Sequence, residues 1–216
     1  MKKILTVLLS VLVAFAALSS ASGCSSATLS GGYKYTLTPA EEVSAEELKA
    51  AAEVIENRLI SACSKAEVKI SDGKLAVRIP KIDKADEVMS LACEWGEIRF
   101  RDSLGNVMLS GTDVKNASAG YDENGNPAVF LEMTTLGTQR FAEATRKIAN
   151  GENGAENVLC VYLGDVMIAA PKVTAEIPNG LATITDFESI ERAKAFVAAI
   201  KSGSLSVGFN FARENT

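Results

Sequence analysis

The chain has 216 residues, a net charge of −5 and no histidine. Its acidic balance argues against a nucleic-acid partner, because nucleic acids select basic surfaces. The missing histidine excludes His-dependent catalytic triads and removes the commonest transition-metal ligand.

The N-terminal segment reads as an export signal. Met1-Lys2-Lys3 is a short basic start, Ile4 to Leu18 is apolar apart from Thr6 and Ser10, and small residues follow up to Cys24. That order is the one a secretory signal peptide has, and the apolar run is short for a membrane span, which needs about 20 residues. Ala21-Ser22-Gly23-Cys24 looks like a bacterial lipoprotein signal, in which Cys24 is acylated and becomes the new N-terminus. Ordinary cleavage after the small residues is the alternative and would give a secreted protein. Two or three acyl chains anchor stably, whereas one binds only marginally. Loss of residues 1–23 leaves 193 residues, and loss of Lys2 and Lys3 takes the charge from −5 to −7. No later stretch is long and apolar enough to span a bilayer, so the expected location is the outer face of the cytoplasmic membrane, lipid-anchored.

Residues 24–32 form a Gly/Ser-rich tether. Tyr33 to Thr38 reads as a strand, rich in Tyr and Thr. Ser44 and Glu47 form a capping box, and Leu48, Ala52, Ile55 and Leu59 recur at helical spacing towards Ala62. Two alternating runs, Glu67–Ser71 and Leu75–Ile79, flank Asp72-Gly73, a pair suited to a tight hairpin. Pro80 stops the second strand. Asp83 is placed to cap a helix over Lys84–Glu94, which Gly96 ends. Glu97–Arg101 then alternates as a strand. The order strand, helix, strand, strand, helix, strand is the split βαβ, or ferredoxin-like, arrangement.

A second unit follows. Gly105-Asn106 and Gly125-Asn126 mark turns, Asp113–Ala119 is a turn and a strand, and Ala128–Met133 alternates. A helix is expected over Leu136–Ala149. Val158–Leu163 and Val166–Ala169 make a hairpin around Gly164-Asp165, expected as a second positive-φ pair. Leu181–Thr185 is a strand, Asp186 or Ser189 opens a last helix, Gly203 stops it, and Leu205–Phe211 is a closing strand returning to the first sheet. The fold class is α+β: a ferredoxin-like base with an inserted α+β head. Its expected divisions are 1–23 signal, 24–32 tether, 33–102 base, 103–204 head and 205–216 closing strand and tail. No internal repeat or heptad pattern is visible.

Beyond Cys24 the cysteines are Cys63, Cys93 and Cys160, whose spacing matches no zinc pattern. Cys63 and Cys93 each fall near the end of an expected helix, and one reading pairs them. The other reading is three buried thiols packing as small hydrophobes.

Several segments together resemble the first extracytoplasmic domain of the protein-export subunit SecD. In chain order they are Leu29-Ser30-Gly31-Gly32-Tyr33, Val54-Ile55-Glu56-Asn57-Arg58-Leu59, Val77-Arg78-Ile79-Pro80 and Glu97-Ile98-Arg99-Phe100-Arg101. The head is represented by Leu109-Ser110-Gly111-Thr112-Asp113-Val114, Gly125-x-Pro127-Ala128-Val129 and Gly137-x-x-Arg140-Phe141-Ala142. Leu163 to Pro171 and Ile200-Lys201-Ser202-Gly203-Ser204-Leu205 complete the set. Turn chemistry and core packing account for nearly every one of these residues, so the resemblance points to a fold more than to an active site. It implies an accessory role in Sec-dependent export, with unfolded secretory polypeptide and the Sec channel as partners. The membrane-helix bundle that couples ion flow in SecD has no counterpart among these segments.

The candidate polypeptide contact is Val166, Met167, Ile168, Ala169, Ala170 and Pro171, an apolar, Pro-ended strand suited to strand addition. The competing reading makes this run a core strand. No catalytic, cofactor or metal residue is expected. The acidic pairs Glu41-Glu42, Glu46-Glu47 and Asp86-Glu87 sit at helix starts, where the helix dipole favours them. A diverged cell-envelope binding or scaffold lipoprotein with no part in export is the alternative function.

Overall fold

The computed structural model describes residue 29, residues 31–185 and residues 187–214. The expected signal segment, Cys24 and most of the tether lie outside the described residues, as does Asp186.

The first sheet is built as the local patterns dictate. Strand β1 (Tyr33–Pro39) leads to helix α1 (Ala45–Cys63), and a hairpin follows from β2 (Glu67–Ser71) and β3 (Lys74–Ile79). The Ser44–Glu47 capping box forms reciprocally: the Glu47 amide donates to Ser44 Oγ at 3.2 Å, and the Ser44 amide donates to Glu47 Oε2 at 2.9 Å. Asp72 and Gly73 both take positive φ, 52° and 70°, which gives the hairpin a turn whose twist matches its strands. Tyr35, Leu37, Leu75, Val77 and Ile79 alternate inward under α1 and α2 (Ala85–Cys93).

Helix α2 starts differently from the expectation. Lys84, not Asp83, is its N-cap, with φ of 54° and no side-chain cap bond. Its ammonium instead bridges Glu87 at 3.2 Å and Glu188 at 2.9 Å.

The strand expected to complete this sheet goes elsewhere. Strand β4 (Ile98–Arg101) pairs with β5 (Val107–Ser110) and with β8 (Cys160–Leu163), and β9 (Val166–Ala169) closes that sheet in the order β5-β4-β8-β9. The place beside β1 is taken by the final strand, β11 (Phe209–Arg213), giving the order β11-β1-β3-β2. The ferredoxin-like arrangement is thus completed by the far end of the chain, and the head is inserted between α2 and β11. Leu205 and Val207, expected in the closing strand, precede it and are buried in the core.

The third sheet has the order β10-β7-β6, from β6 (Val114–Tyr121), β7 (Pro127–Met133) and β10 (Leu181–Ile184). Helix α3 (Thr135–Ala149) packs on β5 and β7, and α4 (Ile190–Ser202, capped by Ser189) packs on β6 and β7 as well as on α1 and α2. So α4 is sandwiched between base helices and head sheet. Ala193, Ala195, Phe196, Val197, Ala198 and Ala199 are all buried, which is why the helix is Ala-rich on several sides rather than amphipathic. Burial of a side chain such as Phe196 contributes about 2 kcal/mol.

Two loops repeat one another. Asp102 Oδ1 accepts from the Leu104 and Asn106 amides, and Asp122 Oδ1 accepts from those of Asn124 and Asn126. Both hairpins, β4–β5 and β6–β7, therefore turn on the same Asp-x-x-Gly-Asn pattern. Cys63, Cys93 and Cys160 are free and buried, so Cys63 and Cys93 are packed thiols and not a disulfide.

Candidate functional site

The β8–β9 hairpin is seated by Gly164, at φ 59°. A Cβ here would run into the Trp95 carbonyl, and the Gly164 amide donates to the Glu97 carbonyl at 3.1 Å. The hairpin tip is thereby locked to the segment where the chain passes from α2 into β4. Asp165 does not share the positive φ expected of it; glycine alone takes up the turn strain.

Strand β9 is the end strand of its sheet, bonded only to β8 among the described strands. Val166 and Met167 stand out, 41 % and 53 % exposed, whereas Ile168 is 8 % exposed and points into the core. The register shifts between Val161 and Tyr162, so that Tyr162 faces Met167 and Val161 faces Ala169. Beyond the strand, the Leu159 amide donates to the Pro171 carbonyl at 3.0 Å, and the Val173 amide to the Asn157 carbonyl at 2.8 Å. Ala170 is exposed and Pro171 half-buried. The six candidate contact residues thus form one segment in two environments: Ile168 is buried, and Val166, Met167 and Ala170 face outward. An edge of this kind can accept an extended chain by strand addition, with its exposed side chains supplying apolar contact.

The surroundings of the tip are acidic and aromatic. Burial, and then the negative charge of Asp165, push the Glu94 carboxyl above its ordinary pKa. The Trp95 indole is 56 % exposed and lies against Gly208, where the chain leaves the head. Among the described residues no group of His, Cys, Asp or Glu side chains is arranged to hold a metal ion, and no helix is long and apolar enough to cross a membrane.

Sequence reasoning missed a second feature. A groove of about 540 Å³ opens between α1, α4 and β6, lined by Asn57 and Ser61, by Ser118 and Ala119, and by Lys194, Val197, Ala198 and Lys201. Arg58 and Ser202 also line it. Lys194 and Lys201 lie seven residues apart, which puts them on one helix face, but in the sequence they read as ordinary solvated lysines.

Comparison with known proteins bears on this fold. Residues 97–207 match the family described as SecDF, P1 head subdomain. The SecD subunit of Leptotrichia buccalis is 28 % identical over 195 residues, which are 87 % of this chain and 47 % of that protein. That of Dictyoglomus turgidum is 28 % identical over 183 residues, 82 % of this chain and 44 % of that protein. For the SecD of Acidaminococcus fermentans the figures are 26 % over 143 residues, 66 % and 33 %. The chain therefore spans a third to a half of the length of these relatives. Among solved structures, SecDF in a super-membrane-facing form superposes with a TM-score of 0.57 at 24 % identity, over 84 % of this chain and 30 % of that one. A second, of a membrane component SecDF that enhances protein export, gives a TM-score of 0.52 at 23 % identity, over 85 % of this chain and 99 % of that one. These likenesses concern the fold. The family match takes in just over half of the chain, including all of β4 to α4, and the protein belongs to the SecD family through its P1 head subdomain.

Proposed function

We propose that this protein is a lipid-anchored accessory of Sec-dependent protein export, held through Cys24 on the outer face of the cytoplasmic membrane, where it binds polypeptide emerging from the Sec channel. The observation that carries the reading is the end strand β9, with Val166 and Met167 exposed on a sheet belonging to the SecD head family. An unfolded chain has unpaired backbone groups and exposed apolar side chains, and a free strand edge with apolar neighbours complements both. Binding of this kind needs neither cofactor nor catalytic residue; a ratchet that hinders backward sliding needs only reversible capture.

The test is a photo-cross-linking amino acid at Met167 in cells producing the full chain, with Lys147 on α3 as the control position. Met167 is chosen over Ile168 because the Ile168 side chain is buried. Cross-links from Met167 to secretory chains in transit support the reading. Cross-links confined to one unrelated envelope protein, with none to secretory chains, replace it with an envelope scaffold. Anchoring has its own test: Cys24→Ser releases the protein from the membrane fraction if Cys24 is acylated and leaves its fractionation unchanged if it is not.

A further inference from the structure

The groove between α1, α4 and β6 differs in chemistry from the β9 edge. Its ten lining residues include Lys194, Lys201 and Arg58 and no carboxylate, although the chain as a whole is acidic. Arg58 is completely buried, and its hydrogen bonds go to neutral oxygens: the carbonyls of Ala92, Glu94 and Gly203 and the hydroxyl of Ser202. Among the described residues neither Lys194 nor Lys201 stands within ion-pair distance of a carboxylate. Two ammonium groups thus border one cavity whose lining holds no carboxylate, while Arg58 is already taken up by the helix-end carbonyls.

The third wall is a strand edge. Strand β6 ends its sheet, and Ser118 and Ala119 of β6 are the only residues of that sheet lining the groove. Between the lysines the α4 wall is apolar, formed by Val197 and Ala198.

We propose that this groove binds an extended, acidic segment of polypeptide, added as a strand to the free edge of β6 with its carboxylates facing Lys194 and Lys201. The proposal rests on the polypeptide-binding reading for the source of its ligand, but it uses a different face of the molecule from β9. Seven residues of helix separate the two lysines by about 10 Å. An extended chain advances about 3.3 Å per residue and returns to the same face at every second one. Carboxylates two or four residues apart, on one face, therefore reach both ammonium groups. A phosphate headgroup would answer the lysines too, but it has no backbone to pair with the β6 edge, which favours a peptide.

The experiment uses the purified chain and a fluorescent peptide of about ten residues, long enough to span the strand, in which Glu alternates with Val. Its partner peptide has Lys in place of Glu. The expected result is tighter binding of the Glu peptide than of the Lys peptide, and loss of that preference as salt screens the charges. The Lys194→Glu/Lys201→Glu variant should bind at least about tenfold more weakly, since two attractive contacts become repulsive. Lys201 is exposed and Lys194 half-buried, and circular dichroism checks that the variant is folded. Ala119→Pro removes an amide from the free edge of β6 and should weaken binding as well. The preference for the Glu over the Lys peptide should persist in Met167→Glu, so that loss here is separable from loss at β9. Equal binding of the Glu peptide to wild type and the double-Glu variant overturns the proposal. So does failure to bind either peptide, or binding only to vesicles containing phosphatidylglycerol, which would make the groove a lipid site.

Discussion

Arg58 of α1 donates from Nη2 to the Gly203 carbonyl at 2.5 Å, joining the first helix of the fold to the residue that closes the last one. The same guanidinium reaches the Ala92 and Glu94 carbonyls at the end of α2, at 3.1 and 2.7 Å. Helix C-termini leave carbonyls unpaired and carry the negative end of the helix dipole. One cation placed between two such ends satisfies both. Burial lowers the Arg58 pKa to about 10, which still leaves it charged at neutral pH.

Arg58→Met should therefore destabilise the protein by about 3 kcal/mol, because several buried acceptors lose their donor at once. Arg58→Lys keeps the charge without the planar fork and should cost less. Urea denaturation measures both. An unchanged midpoint for Arg58→Met would show that water replaces the guanidinium without penalty.

Gly137→Ala reverses a familiar sign. In an exposed helix the change stabilises by up to about 1 kcal/mol. Here a Cβ would overlap the Asp113 carbonyl oxygen, which also accepts from the Thr134 amide at 2.8 Å. Asp113 in turn holds Arg140 at 2.9 Å and the Ser110 amide at 3.0 Å. Displacing this corner should cost about 1–3 kcal/mol, as overpacking does elsewhere, and lower the melting temperature. A raised melting temperature would mean the corner moves freely.

Alkali should unfold the protein early. Burial pushes Cys63 up from 9.0 to about 11 and Cys93 from 9.0 to about 12. Tyr35, buried and donating to Asp86 Oδ1 at 2.6 Å, is raised as well. Each group keeps its proton longer folded than unfolded. The unfolded state thus binds fewer protons above its own pKa, and stability falls as pH rises. Stability should be flat from neutral pH to about pH 8.5, the ordinary thiol pKa, and fall from there through the folded values of about 11 and 12. Denaturation midpoints across that range check it; a flat profile contradicts it. At neutral pH the buried thiols of Cys63, Cys93 and Cys160 should react with a disulfide reagent only after denaturation.

The paired Asp-x-x-Gly-Asn loops carry an acid dependence of opposite sign. Hydrogen bonds from the Asn126 amide, against a small opposing effect of burial, lower the Asp122 pKa. At Asp102 partial burial acts upward, but the Asn106 side chain and neighbouring amides outweigh it. Both carboxylates stabilise the fold above their unfolded pKa of about 4, and that contribution disappears as pH falls through the lower folded values. Asp102→Ala/Asp122→Ala should weaken the protein at pH 7 and flatten its acid limb. Identical acid limbs would remove these loops as the cause.

Much of the local structure was readable residue by residue. The Ser44–Glu47 box, the Asp72-Gly73 turn and the stop at Gly203 are contests between neighbours in the chain, settled by backbone geometry and one or two hydrogen bonds. The candidate contact was readable only as a segment. An apolar run from Val166 to Ala170 does not say which residue faces out; the register shift against Val161 and Tyr162 decides that, turning Ile168 inward and Met167 outward. Lys194 and Lys201 carried only the signal of their helical spacing, because what makes them a site is the β6 edge opposite.

The sequence by itself determined that this is an α+β chain of short helices and hairpins with a split βαβ order, and which face of most elements is apolar. Those properties depend on contacts within a few residues. Which strand lies beside β1, what seats Gly164 and where Arg58 finds its acceptors were decided by tertiary structure. Alternation marks the buried face of a strand but not its neighbour, and the β1–β11 ladder joins residues such as Tyr35 and Arg213, at opposite ends of the described chain. Closing so long a loop costs only slightly more than closing a short one. Packing of α4 against both base and head could therefore favour β11 over the nearer β4 for that edge.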